Sequence, residues 1–130
     1  MLHGHSKVLV VDDDPFIRSL LAAWLQDAGY LVAVAADGQQ ALEQVRRERP
    51  DILLLDLSMP RLDGYGVIKW LRQQPESRDL PILILSADVW APKKLTGVRI
   101  EGILSKPFDL DEVLARVMEF VPLRELPAAV

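Results

Sequence analysis

The 130-residue chain contains no cysteine, which excludes disulfide bonds and thiolate metal sites. It also has no block of Lys or Arg, and its formal net charge is −4. That balance argues against direct nucleic-acid binding by this domain. No apolar run approaches the ~20 residues that a membrane-spanning helix needs. The first such run, Val8 to Val11, is cut off by Asp12, Asp13 and Asp14. No signal-peptide core tolerates three aspartates, so a cytoplasmic location without membrane association is expected. Gly-rich loops of the GxxxxGK[ST] and GxGxxG types are missing, so a nucleotide is not the obvious ligand. There is no internal repeat and no low-complexity segment.

What is present reads as one domain with a real core, since half of the residues are hydrophobic. Four consecutive aliphatic residues, Ile52 to Leu55, run straight into Asp56. The run is too short for a capped helix and reads as a strand buried on both faces, spanning Asp51–Leu57. Similar short runs lie at Lys7–Val11, Leu31–Ala35, Pro81–Leu85 and Gly102–Ser105. Amphipathic helical stretches separate them. The first runs from about Phe16 to Ala28, with Ile17, Leu20, Leu21, Trp24, Leu25 and Ala28 on one face, Asp14 as N-cap and Gly29 as terminator. Ala41, Leu42 and Val45 mark a second, and Tyr65 to Gln73 a third. The last, about Leu110 to Phe120, turns Val113, Leu114, Val117 and Met118 inward behind Asp109 and Glu112, a capping-box variant. Between them, Val89 to Ile100 carries Pro92 and Gly97 and predicts a short or irregular fourth helix. Five strand–helix repeats imply a mostly parallel sheet with helices on both faces. The expected division is an N-terminal tail over 1–6, one domain over 7–121 and a C-terminal tail over 122–130.

The polar residues of this chain gather at strand ends: Asp12 and Asp13, Asp56, Ser86 and Lys106. In a parallel sheet all of these lie on one edge, where open α/β sheets place their chemistry. Like-charged carboxylates ~4 Å apart repel by roughly 4 kcal/mol at an effective dielectric near 20. A divalent cation between them relieves that repulsion, and all-oxygen ligation suits Mg²⁺. Acids, a hard metal, a lysine and a hydroxyl together make a site for a phosphoryl group. A carboxylate can itself be the nucleophile and form an acyl phosphate.

Asp12-Asp13, the run Asp56-x-x-Met59-Pro60-x-x-Asp63-Gly64, Ser86-Ala87 and Lys106-Pro107-Phe108 together resemble the receiver domain of two-component response regulators. The resemblance covers about Lys7 to Phe120, and in size the chain resembles the single-domain chemotaxis regulator. It implies a flavodoxin-like (βα)5 fold with sheet order 2-1-3-4-5. It implies that Asp56 is the phospho-acceptor and that Asp13 is a direct Mg²⁺ ligand. Asp12 holds the metal through water, and the Ser58 backbone carbonyl completes the metal sphere. Ser86 supplies a hydroxyl and Lys106 an ammonium to the phosphoryl group, and the Lys106–Pro107 bond is cis. The implied donor is a histidine kinase or a His-containing phosphotransfer protein. The implied output is a protein target or an output domain outside this chain.

Other residues have plainer readings. Asp14 is a helix cap, Asp63 a turn former, and Trp24 and Trp70 packing residues; His3 and His5 precede the first strand. Trp90, just past Ser86-Ala87-Asp88, reads either way. Two features depart from the family pattern. Ile103 stands three residues before Lys106, where an aromatic ring is usual, and Lys106 follows Ser86 by only 20 positions. Val89–Ile100 is therefore expected to be the most mobile part of the domain and to become ordered on phosphorylation. Two other function classes compete. Asp12-x-Asp14 is similar to the acid pair of haloacid-dehalogenase-like phosphatases, but Phe16 stands where that family has Thr or Val. A phosphorylation-independent interaction domain is the alternative motivated by Ile103 and the thin fourth helix.

Overall fold

A computed structural model of the protein describes residues 6–57, 64–88 and 90–123. Its elements, in chain order, are β1 (Lys7–Val11), α1 (Pro15–Ala28), β2 (Leu31–Ala35), α2 (Gly38–Glu48), β3 (Ile52–Asp56), α3 (Gly64–Gln73), β4 (Ile82–Ser86), α4 (Ala91–Lys94), β5 (Gly102–Ser105) and α5 (Leu110–Phe120). The strands form one five-stranded sheet in the order β2-β1-β3-β4-β5, with every neighbouring pair parallel. This is the doubly wound architecture expected from the alternation, including a fourth helix of a single turn.

Strand alternation divides the core in two. Leu9, Val11, Leu53, Leu55, Ile82 and Ile84 face α2 and α3, where they meet Ala41, Val45, Val67, Ile68 and Leu71. Val8, Val10, Ile52, Leu54, Leu83 and Leu85 face α1 and α5 and meet Leu21, Leu25, Val113 and Val117. All five residues of β3 and of β4 are buried, as expected for central strands covered on both faces.

The caps explain where α1 begins and ends. The Asp14 side chain accepts from the Phe16 and Ile17 N–H groups, with Pro15 at the first helical position. Gly29 ends α1 at φ +115°, a left-handed conformation that strains a residue with a Cβ. The apolar faces are narrower than the sequence suggested. Leu20 and Met118, both expected inside, are 37% and 42% exposed, because each lies at the margin of its helix stripe. At α5 the Asp109 carboxylate accepts from the Asp111 N–H. Leu123, in the expected C-terminal tail, packs on the α1–α5 core, and the Tyr30 hydroxyl donates to the Val121 carbonyl at 2.6 Å.

Candidate functional site at the carboxyl edge of the sheet

The β1–β3 register ends with Val11 opposite Leu55, so the next step brings Asp12 opposite Asp56. Both carboxylates are 1% exposed. Asp12 is held in place by its surroundings. Its N–H donates to the Ala35 carbonyl at 3.1 Å, its Oδ1 accepts from the Asp14 N–H at 2.9 Å, and Arg18 Nη1 donates to its carbonyl at 2.8 Å. Its other oxygen, Oδ2, is buried without a hydrogen-bond donor among the described residues. Burial chiefly, and then the proximity of Asp56, push the Asp12 carboxyl from its ordinary 3.8 to about 7.

Lys106 reaches the site from the end of β5, and its Nζ donates to Asp56 Oδ2 in a short ion pair. The Lys106 N–H donates to the Ser86 carbonyl at 2.9 Å, which ties the two strand ends together. The Lys106–Pro107 peptide bond is cis, as the resemblance implied. Ser86 is buried, and its Oγ accepts from the Asp88 N–H at 2.9 Å.

The structure thus brings Asp12, Asp56 and Lys106 together and places Ser86 on the adjoining strand end. Asp13 is half-buried beside them. Ser58, Met59, Pro60, Asp63, His3 and His5 lie outside the described residues. Among the described residues no three acids stand at metal-holding spacing. Asp12 and Asp56 stand opposite one another at the strand ends, with the Lys106 ammonium on one Asp56 oxygen. The chemistry of that pair nevertheless fits a small divalent cation. A buried carboxylate oxygen without a donor, beside a second buried carboxylate, is an arrangement that opposite charge stabilises. Asp14 is exposed and engaged as a cap, so the Asp12-x-Asp14 pair of the phosphatase reading is not assembled.

Sequence reasoning missed a second cluster beside the first. Asp88 Oδ1 accepts from the Trp90 N–H at 2.8 Å, and Oδ2 pairs with Lys94 Nζ at 2.7 Å. These two contacts, that with Lys94 first, hold the Asp88 carboxyl below its ordinary range. Lys94 Nζ also lies 5.9 Å from the centre of the Tyr65 ring. The available signal was an Asp two residues past Ser86, a spacing that favours a side chain–backbone turn. Trp90 is 62% exposed, whereas Trp70 packs partly on the core and carries the Arg46 guanidinium 5.2 Å from its ring centre.

The chain matches known proteins along most of its length. A family model described as the response regulator receiver domain matches residues 8–118. The response regulator MprA of Mycobacterium leprae is 45% identical over 113 residues, covering 85% of this chain and 49% of that protein. A probable transcriptional regulator, ycf27, of Guillardia theta is 39% identical over 118 residues, covering 89% and 45% respectively. The chain therefore spans about half the length of the curated relatives it matches. Among solved structures, Vibrio cholerae chemotaxis protein CheY4 superposes with a TM-score of 0.83 at 36% identity, covering 91% of this chain and all of that one. The receiver domain of sensor histidine kinase PA1611 from Pseudomonas aeruginosa PAO1, with a magnesium ion coordinated in its active-site cleft, superposes with a TM-score of 0.80 at 30% identity, covering 90% of this chain and 98% of that one.

Proposed function

The chain belongs to the response regulator receiver domain family, and from that premise we propose that Asp56 accepts a phosphoryl group from a phosphohistidine on a kinase or phosphotransfer protein. The observation that carries this reading is a buried carboxylate at the end of the central strand, with an ammonium on one of its oxygens and a second buried acid beside it. The other Asp56 oxygen, Oδ1, attacks phosphorus. The phosphorus–nitrogen bond to the donor imidazole breaks, the imidazole nitrogen keeps the electron pair, and an acyl phosphate forms on Asp56. Lys106, already on Asp56 Oδ2, moves its charge onto a phosphoryl oxygen, and the Ser86 hydroxyl donates to another. Asp12, Asp13, Asp56 and the Ser58 carbonyl would hold Mg²⁺, which supplies charge neutralisation to the incoming phosphoryl group. Burial keeps water from the acyl phosphate, so its loss to water is slow.

The module is read as cytoplasmic; among the described residues no helix is long and apolar enough to cross a membrane. Its output is a conformational change read by a protein target or by an output domain, as the greater length of the relatives suggests. The test is intact mass after incubation with acetyl phosphate or a phospho-kinase and Mg²⁺. The wild type gains one phosphate. An Asp56→Asn protein that gains phosphate as fast overturns the assignment, and so does a wild type that gains none. A wild type that takes no phosphate but still binds a regulatory partner would favour the phosphorylation-independent interaction domain, for which Ile103 in place of a ring is the motivating feature.

A further inference from the structure

The α2–α3 seam holds a cavity at the amino edge of the sheet, away from Asp56. One side comes from the last turn of α2 and the residues leading into β3, the other from the end of α3 and the turn leading into β4. Its volume is about 370 Å³, within the range of pockets that hold small organic molecules. The apolar part of the lining is Val45, Pro50 and Leu80, all buried, together with the partly buried Trp70 ring.

Two guanidiniums belong to the same lining. Arg46 lies 5.2 Å from the centre of the Trp70 ring, and Arg49 ends α2. Both residues are exposed, and neither is paired with a carboxylate among the described residues. This contrasts with Lys7, Arg72, Lys94, Arg99, Lys106 and Arg116, each of which has an acidic partner. Acids are not scarce, since they outnumber Lys and Arg by 19 to 15. Even Glu76, the one acid of the lining, forms no ion pair with Arg46 or Arg49 among the described residues.

The backbone adds an independent sign at Arg49. Its φ is +48°, and no other residue except glycine has a positive φ among the described residues. Glycine or asparagine is the usual occupant of such a helix end, because a larger side chain is strained there. An arginine at this position carries strain that a glycine would not, so its guanidinium is what the position supplies. Gln74 contributes a side-chain amide without a hydrogen bond among the described residues, whereas the Ser77 hydroxyl is engaged by the Leu71 carbonyl at 2.6 Å.

Two cations beside an apolar, ring-lined cavity complement a molecule with a negative head and a flat apolar body. A guanidinium over an indole face keeps its N–H edge for an anion, and a carboxylate takes those N–H groups in pairs. We propose that this cavity is a binding site for a small aromatic carboxylate, with its head on Arg46 and Arg49 and its ring beside Trp70, Val45, Pro50 and Leu80. The site is distinct from the phosphorylation edge. Arg49 and Pro50 precede β3 and Asp56 ends it, which separates the two by the length of that strand, ~15 Å. The reading of Asp56 plays no part in the proposal.

The test is titration of the full 130-residue chain with 2-naphthoate, followed by NMR shifts of backbone amides and of the Trp70 indole N–H. A parallel titration uses 2-naphthalenemethanol, which has the same rings without the charge. 2-Naphthoate is expected to shift the Trp70 indole and the amides of 45–50 and 74–80, with a Kd below about 1 mM. Loss of the charge in the alcohol, Arg46→Gln and Arg49→Gln should each weaken binding about tenfold. Glu76→Gln, which removes the like charge at the rim, should tighten it about twofold. Arg49→Gly should weaken binding as Arg49→Gln does while melting at or above the wild-type temperature, so that the loss is not one of folding. Equal affinity for the acid and the alcohol overturns the proposal. So do shifts confined to the strand ends around Asp56 and Lys106, no saturation at millimolar 2-naphthoate, or Arg46 and Arg49 variants that bind as the wild type does.

Discussion

Replacing Asp12 by Asn should stabilise the metal-free protein at pH 8, although Asp12 is one of the most buried residues of the chain. The Asp12 carboxyl is pushed from 3.8 to about 7, mainly by burial and then by Asp56. A shift of about three units corresponds to ~4 kcal/mol between the two protonation states. Above pH 4 the unfolded chain has released this proton, whereas the folded protein keeps it up to about pH 7. The folded state therefore binds more protons in that window, and stability falls as pH rises. This group's contribution is fully present below about pH 4 and lost as pH rises through 7. Asn keeps the side-chain oxygen that accepts from the Asp14 N–H. Its amide also places a donor where the orphaned Oδ2 faced a second carboxylate.

The assay is urea unfolding of both proteins in EDTA at pH 5, 6, 7 and 8. Every other acid contributes to both, so the difference isolates position 12. Asp12→Asn should gain on the wild type by ~2–3 kcal/mol between pH 5 and pH 8, since about two of the three units of the shift fall in that window. The same substitution should remove much of the Mg²⁺-dependent stabilisation, which in wild type amounts to ~2.7 kcal/mol at a hundred times the dissociation constant. A difference that is flat from pH 5 to pH 8, or an Asn variant less stable than wild type at pH 8, would refute the reasoning.

Three further outcomes are expected. Asp13→Ala should abolish the rise in melting temperature that Mg²⁺ gives the wild type, measured by thermal melts at millimolar Mg²⁺; an unchanged rise would remove Asp13 from the ligand set. Arg72 donates to the Arg99 carbonyl at 2.9 Å and the Leu80 carbonyl at 2.6 Å and pairs with Glu101 at 3.2 Å. Arg72→Ala should therefore cost ~3 kcal/mol in urea unfolding, because it leaves partly buried carbonyl acceptors without their donor and takes from Glu101 the nearer of its two guanidinium partners; a loss below ~1 kcal/mol would show that water replaces the guanidinium. Tyr30→Phe should cost ~1–2 kcal/mol by orphaning the buried Val121 carbonyl, and a neutral result would show that the C-terminal end of α5 rearranges.

The fold was legible because the chain states it locally. The β3 and β4 runs are apolar at every position before their terminal polar residue, which is what burial on both faces demands. The helices declare themselves by stripe and cap, and Asp14, Gly29 and Asp109 act where the sequence placed them. The errors fall at margins. Leu20 and Met118 satisfy a helical period yet lie beyond the width of the buried stripe, and periodicity alone does not say how wide a neighbour is. The site was legible to the same depth. Strand ends collect on one edge of a parallel sheet, so Asp12, Asp56, Ser86 and Lys106 could be assembled on paper. Which oxygen Lys106 takes, and which oxygen of Asp12 is left without a donor, depends on distances between strands. No pattern along one chain encodes these.

The same limit applies to Ile103. Read alone, an aliphatic residue in place of a ring implies a missing relay. In the fold, Ile103 packs against the α2–α3 core, opposite Ile84 in the β4–β5 register. A stiff, branched side chain there serves packing and has no swing to contribute. Tyr65 and Trp70 pack on this core, and Trp90 is exposed at the end of a hydrogen-bonded path that begins at Ser86. A ring on a one-turn helix needs only the loss of a few exposed contacts to move. A ring at position 103 would have to displace core side chains packed at crystal-like density. Over residues 90–100 the buried side chains are Ala91 and Leu95.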